Sequence, residues 1–346
     1  MKNRHRLPTT LLLLLLAACG SAPPAPQPAR IEAALQIEQD GARRYARGEF
    51  VAAAPRFGEA ARLFASIDDT TGATRNTLHQ VRAELAAGQT VAALNRLATL
   101  RIDAPAWAVD IAQLQAQAHL ALGQTDAAAT ALAAALEKCA PQCPHTASLQ
   151  LLAAHLALAR AHPQEALTHA ATALQHLQNQ DQAAETANAW RLTAAAQLAL
   201  KNPDAALTAA QTALEIDRRL ALPEKLVRDW LLIGDSHRAE KPGAGETTGK
   251  TTAQQEGAGQ NPARFAVDAL QGGRANNTQL CRPELSAPRA GLLAVADGTT
   301  AKPAANSTPD AAAAYQRALD IALAADLDTL AERARQALVA TQSVAP

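Results

Sequence analysis

Apolar positions along this chain fall in steps of four and three, and the pattern restarts after a break at a regular interval. A glycine or polar residue is followed five positions later by alanine, then four and three positions further on by apolar residues. Gly48 is followed in this way by Ala53, Phe57 and Ala60; Gly88 by Ala93, Leu97 and Leu100; Gly123 by Ala128, Leu132 and Ala135. Ala161 leads to Ala166, Ala170 and Ala173, and Lys201 leads to Ala206, Ala210 and Ala213. The markers stand 40, 35, 38 and 40 residues apart, a period that belongs to stacked helical hairpins. Steps of four and three place the apolar residues on one face of a helix. Alanine at the head of that face lets the second helix of each hairpin approach the first closely. The marker ends the first helix, a role that glycine fills readily because it tolerates a left-handed cap.

Breaks and starts agree with this reading. Pro105, Pro163, Pro203 and Pro223 stand where new helices begin, the positions that proline tolerates. Pro55 lies several residues into a helix and predicts a shifted start or a bend. Trp230-Leu231-Leu232-Ile233-Gly234 with His237 reads as the first helix of a sixth hairpin. Its second helix resumes only at Asp310, with Ala311, Tyr315 and Ala318 in register. His237 and Ala311 are 74 residues apart, where the period needs about nine. Nine of the 17 glycines and six of the 19 prolines lie in residues 241–309, so residues 240–308 read as a largely disordered insertion with a short helix at Ala263–Leu270. Loop-closure entropy grows only slowly with length, so the array tolerates it. A last helix, Leu327–Ala340, carries Leu327, Leu330, Ala331, Ala334 and Leu338 on one stripe. Glu332, Arg333, Arg335 and Gln336 on the other side suit a capping helix. The expected fold is therefore all-α: a helical-hairpin solenoid over residues 30–239 and 309–343.

Composition narrows the function classes. Hydrophobic residues make up 48% of the 346 residues but aromatic ones only 3%, so alanine and leucine build the core and few stacking platforms exist for sugars or bases. Lys+Arg and Asp+Glu both number 32, which argues against a nucleic-acid binder that relies on a broad basic surface.

The repeated marker, alanine and apolar positions, with Trp190 eleven residues before Lys201, resemble the tetratricopeptide repeat in a slightly long form. The fourth and fifth copies lack the family's glycine. The resemblance implies a concave groove lined by the first helix of each repeat. Its polar positions here are Arg75, His79, Arg82, Asp110, Gln113, Gln117, Ser148, His155, Asn188 and Arg191, with Leu78, Leu114, Leu151 and Leu192 among them. Such a mixture suits an extended peptide or a helix of a protein partner. It implies a scaffold with no catalysis and no cofactor.

The N-terminus carries an address. Lys2, Arg4, His5 and Arg6 precede the run Leu11–Leu16, which is too short to span a bilayer permanently. Leu16-Ala17-Ala18-Cys19 then resembles the lipobox of bacterial lipoproteins. In that family the peptide (here residues 1–18) is removed, the cysteine thiol receives a diacylglycerol, and the new amino group is acylated, typically with palmitate. Several chains together make a stable anchor. Gly20, standing where inner-membrane retention usually shows Asp, implies the outer membrane. Residues 19–29 read as a Pro-rich tether, and the resemblance implies a protein that faces the periplasm as part of an envelope complex, since similar lipoproteins take part in outer-membrane assembly, pilus or secretin assembly, or control of cell-wall synthases. Removing residues 1–18 takes away three Lys/Arg and no acids, leaving 29 against 32.

Three other patterns carry chemistry. Residues 244–251, Ala-Gly-Glu-Thr-Thr-Gly-Lys-Thr, fit a permissive phosphate-binding loop. That loop needs a delivering strand, and a repeat helix precedes it instead. Cys139 and Cys143 sit at a helix-to-helix turn with Pro141 and Pro144. They form either a local disulfide in an oxidising compartment, leaving Cys281 unpaired, or two reduced turn cysteines. His155, His162, His169 and His176 recur every seven residues. With the two cysteines they offer an alternative reading as a metal or redox module, but sevens interrupted by a helix break do not share one face. Solvated histidines are the reading preferred here.

Overall fold

A computed structural model describes residues 28–100, 105–139, 143–178, 180–240 and 310–342. Among these residues there are thirteen α-helices, one 3-10 turn (Pro105–Trp107) and no strand. The first three hairpins are α1 (Ala29–Ala46) with α2 (Phe50–Ala65), α3 (Thr70–Ala86) with α4 (Thr90–Thr99), and α5 (Ala108–Ala121) with α6 (Thr125–Lys138). The next three are α7 (Thr146–Ala159) with α8 (Pro163–Leu177), α9 (Ala183–Ala199) with α10 (Pro203–Leu220), and α11 (Pro223–Glu240) with α12 (Ala311–Ala324). Helix α13 (Asp328–Gln342) closes the array. The chain is a helical-hairpin solenoid.

The hairpins make two layers. From α3 onward each odd-numbered helix also touches the next odd-numbered one, whereas even-numbered helices pack on their neighbours in sequence. Sequence dictates this division. Helix α7 buries Leu149, Leu151, Leu152, Ala154, His155, Leu156 and Leu158, which point in all directions around its axis, as a helix enclosed on every side requires. Helix α8 buries only Ala166, Ala170, Ala173 and Leu177, a single stripe. The odd helices are therefore the inner layer and the even helices the outer one.

The joints are nearly identical. All five markers adopt positive φ: Gly48 82°, Gly88 75°, Gly123 73°, Ala161 59° and Lys201 61°. At Gly48 the amide donates to the Tyr45 carbonyl and the Glu49 amide to that of Arg44, both at 3.0 Å. The same pair of bonds closes the other four turns, satisfying carbonyls that a helix end leaves open. Five residues on, Ala53, Ala93, Ala128, Ala166 and Ala206 are at most 1% exposed. A larger side chain there would overpack the hairpin by about 1–3 kcal/mol.

The turn recurs at three positions that the sequence reading did not mark, Asp68, Ala221 and Asp326, and at the last of them the buried alanine recurs with it. Asp326, between α12 and α13, has φ 53°, and the Leu327 amide reaches the Ala322 carbonyl at 2.9 Å. Ala331, five residues on, is buried. The capping helix thus docks through the same joint as a second helix of a hairpin, and the Asp326–Ala331 spacing carried that signal.

Two local differences have physical reasons. Helix α2 begins at Phe50 and runs through Pro55, because Pro55 sits on the exposed face beside exposed Val51; water can take the carbonyl that the missing N–H leaves. Helix α4 ends at Thr99, so Leu100 lies beyond the helix and is only half-buried.

Helices α11 and α12 pack directly on each other although residues 241–309 separate them in sequence. The Tyr315 ring lies where a Cβ on Gly234 would be, and its hydroxyl donates to Asp235 Oδ1 at 2.6 Å. Asp310 caps α12, its Oδ1 accepting from the Ala313 amide at 2.8 Å. Cys19, the tether up to residue 27, the 244–251 loop, Ala263–Leu270 and Cys281 lie outside the described residues.

Candidate functional site

The positions expected to line a groove do lie on inner helices, and the structure shows what most of them touch. Arg75 makes a paired contact with Glu38, Nε to Oε1 and Nη2 to Oε2, both at 2.9 Å. Arg82 Nη2 donates to Asp110 Oδ1 at 2.6 Å, and His145 Nε2 stands 3.7 Å from the other oxygen. Ser148 Oγ donates to Gln113 Oε1 at 3.4 Å, and Arg191 Nε to Asp229 Oδ1 at 2.7 Å. Each contact joins one inner helix to the next. These side chains tie successive hairpins together.

Burial separates the ten residues into two sets. His79, Asp110, His155 and Arg191 are closed to solvent, so as the helices stand they offer no surface to a partner; for these four the expectation of groove lining is corrected. His79 lies against the Phe57 ring, centroids 5.2 Å apart. Arg75, Arg82, Gln113, Gln117, Ser148 and Asn188 are half-buried and keep part of their surface open. Four of these six, Arg75, Arg82, Gln113 and Gln117, lie on α3 and α5.

Further along, the inner layer closes around charge. Arg191 on α9 holds Asp217 of α10 and Asp229 of α11 and also donates to Asn188. Burial works against the Arg191 charge, but the Asp229 and Asp217 carboxylates outweigh it and hold its pKa above the ordinary value. Burial pushes the Asp229 carboxyl up, Asp217 beside it opposing a second negative charge while Arg191 pulls the other way. Burial also lifts Glu185 to about 7 and lowers Lys225 to about 7, Arg191 adding to the effect on the lysine. His155 is held down to about 3 by burial and then by the Arg228 charge. Sequence reasoning missed Glu185, Lys225, Arg228, Asp217 and Asp229. Their significance depends on how different helices pack on one another, which spacing along one helix cannot show.

The remaining candidates are quickly placed. The sulfurs of Cys139 and Cys143 are bonded, with Cα atoms 5.2 Å apart, across the turn from α6 to α7. His169 Nδ1 bonds Gln150 at 2.7 Å, and His162 Nδ1 lies 3.3 Å from Glu165. Among the described residues no three His, Cys, Asp or Glu side chains are grouped to hold a metal ion. An open cleft of about 580 Å³ between α8, α9 and α10 is lined by Leu174, Trp190, Ile216 and Arg219 among others. Among the described residues no helix is long and apolar enough to cross a membrane.

No known family profile matches the chain, and no curated protein does. Among solved structures, BtubC (BKLC) from P. vanneervenii is similar at 18% identity and a TM-score of 0.37, over 79% of this chain and 100% of that one.

Proposed function

We propose that this chain is a non-enzymatic, tetratricopeptide-repeat-like scaffold that is anchored by lipid on Cys19 to the outer membrane, faces the periplasm, and holds a protein or peptide partner in an envelope complex. The observation that carries the partner reading is the inner layer: α3 and α5 present Arg75, Arg82, Gln113 and Gln117 half-open on one continuous face. Solenoids gather partners along such extended inner surfaces. Amide side chains there can bond a peptide backbone, and guanidinium groups can take its carboxylates. The address rests on the basic start, the leucine run and Leu16-Ala17-Ala18-Cys19.

A photocrosslinking amino acid placed in intact cells at Gln113 or Gln117 is expected to trap a defined partner. The same group at Thr168 or Thr212, on outer helices, is expected not to. Equal adducts from all four positions would remove the inner-face reading. The anchor is tested separately: the mature N-terminus should carry acyl chains on Cys19, and Cys19→Ser should release the protein from the membrane fraction.

A further inference from the structure

The outer layer opens at one place onto large apolar side chains. Helices α8 and α10 both pack on α9 but scarcely meet each other. The connection between α8 and α9, Gln178 to Gln182, supplies one rim of the gap. The result is the cleft of about 580 Å³ described above, within the roughly 300–1,000 Å³ range of small-ligand pockets. Trp190 of α9 lies between the two outer helices, half-buried in an array whose hairpins are otherwise joined through alanine. Leu174 of α8 and Ile216 and Leu220 of α10 stand around it, each also half-buried. Ile216, Arg219 and Leu220 fall at i, i+3 and i+4, so one face of α10 supplies both an apolar wall and a charge.

Two opposite charges line the same cleft without partners. Arg219 and Asp181 are both exposed. Among the described residues neither makes an ion pair or hydrogen bond, whether with the other or with Glu215 one turn back on α10. Their neighbours are engaged: Arg218 stacks over the Trp230 ring at 5.4 Å, and Gln182 donates to Gln180 at 2.7 Å. A guanidinium takes a carboxylate through two parallel N–H donors, a carboxylate accepts from an ammonium, and an indole face suits an apolar side chain. A ligand that meets all three groups carries a carboxylate, an ammonium and an apolar body, as a peptide with free ends does. A segment inside a longer chain brings no terminal charges. Two or three extended residues span about 7–11 Å, in keeping with a cleft of this volume. We infer that the cleft between α8 and α10 binds a free peptide of two or three residues. Its carboxylate sits on Arg219, its ammonium on Asp181 and an apolar side chain against Trp190. The cleft shares no residue with the inner face of α3 and α5, so the site stands apart from the partner reading.

The test is calorimetric titration of the full chain at neutral pH with leucyl-leucine, alongside its N-acetylated and C-amidated forms. Free leucyl-leucine is expected to bind saturably at one site and to shift the fluorescence of Trp190, a shift absent from Trp190→Phe. Each blocked form should bind at least several-fold more weakly. Arg219→Gln and Asp181→Asn change exposed side chains, so helical circular dichroism should stay parental while affinity for the free peptide falls at least several-fold. The losses should also be paired: Arg219→Gln should weaken the amidated peptide no further, and Asp181→Asn should weaken the acetylated one no further. A parent protein that shows no saturable binding of leucyl-leucine overturns the site. Blocked peptides that bind as well as the free one overturn it too, and would make the cleft a dock for a chain segment instead. Parental affinity in either charge variant has the same force.

Discussion

Glu185 and Lys225 lie in each other's field on neighbouring inner helices, and burial displaces their ionisation in opposite directions. Glu185 titrates at about 7 in the fold against 4.5 ordinarily, so its contribution to folding is full below 4.5 and lost as pH rises through 7. Lys225 titrates at about 7 against 10.5, so its contribution is full above 10.5 and lost as pH falls through 7. Asp229, also raised, adds to the acid-side effect. His155, lowered to about 3 from 6.5, opposes it below 6.5, one group against two. The expected outcome is a stability minimum near neutral pH, read as the lowest urea midpoint among samples at about pH 6, 7 and 9. Lys225→Met should flatten the alkaline side and leave the acid side. A second prediction concerns Arg191. Truncation to alanine leaves two buried carboxyls without their counter-charge and is expected to cost about 3–5 kcal/mol in urea unfolding. None of this cluster but Arg191 and His155 was legible beforehand, because a repeat pattern reports what recurs along the chain. The acids that meet Arg191 come from α10 and α11, 26 and 38 residues away, and they belong to no recurring position.

Helices and their joints were far more legible, and the reason is steric. A left-handed residue followed five positions later by a methyl-sized side chain is a local requirement, so it leaves a local trace. Ala161 and Lys201 meet that requirement without being glycine, at φ 59° and 61°. The left-handed region costs an L-residue about 1–2 kcal/mol, against which glycine's extra entropy loss of about 0.5–1 kcal/mol is smaller. Ala161→Gly and Lys201→Gly are therefore each expected to stabilise the array by about 0.5–1 kcal/mol in urea unfolding. Gly234 works the other way, since the Tyr315 ring occupies the space of its missing side chain. Gly234→Ala should push α12 off α11 and cost about 1–3 kcal/mol, with loss of near-ultraviolet signal from the Tyr315 environment. The length of α4 escaped the pattern because Leu100 satisfies the apolar spacing even though the helix stops one residue short of it.

At the scale of the whole molecule, α11 and α12 form a hairpin like the others although their ends, Glu240 and Asp310, are far apart in sequence. Closing a longer loop adds only about 0.6 kcal/mol per doubling. Replacing residues 241–309 by a flexible linker of about nine residues should therefore preserve helical circular dichroism and leave the urea midpoint unchanged or slightly higher. Collapse of the last hairpin in that variant would mean that the replaced segment supports the packing.

Helix α4 is the shortest of the array, ten residues where the others have 14 to 18, and it shares the smallest packed face with the helices on either side. In mechanical terms that makes it the compliant element of the chain. A load drawn along the array would bend the joint at α3–α5 before it strained the closed stretch from α7 to α11, whose inner helices are braced on every side. The first two hairpins would then swing as one arm on a stiff base, and the half-open Arg82, Gln113 and Gln117 lie at the elbow. A guest seated there would stiffen the arm.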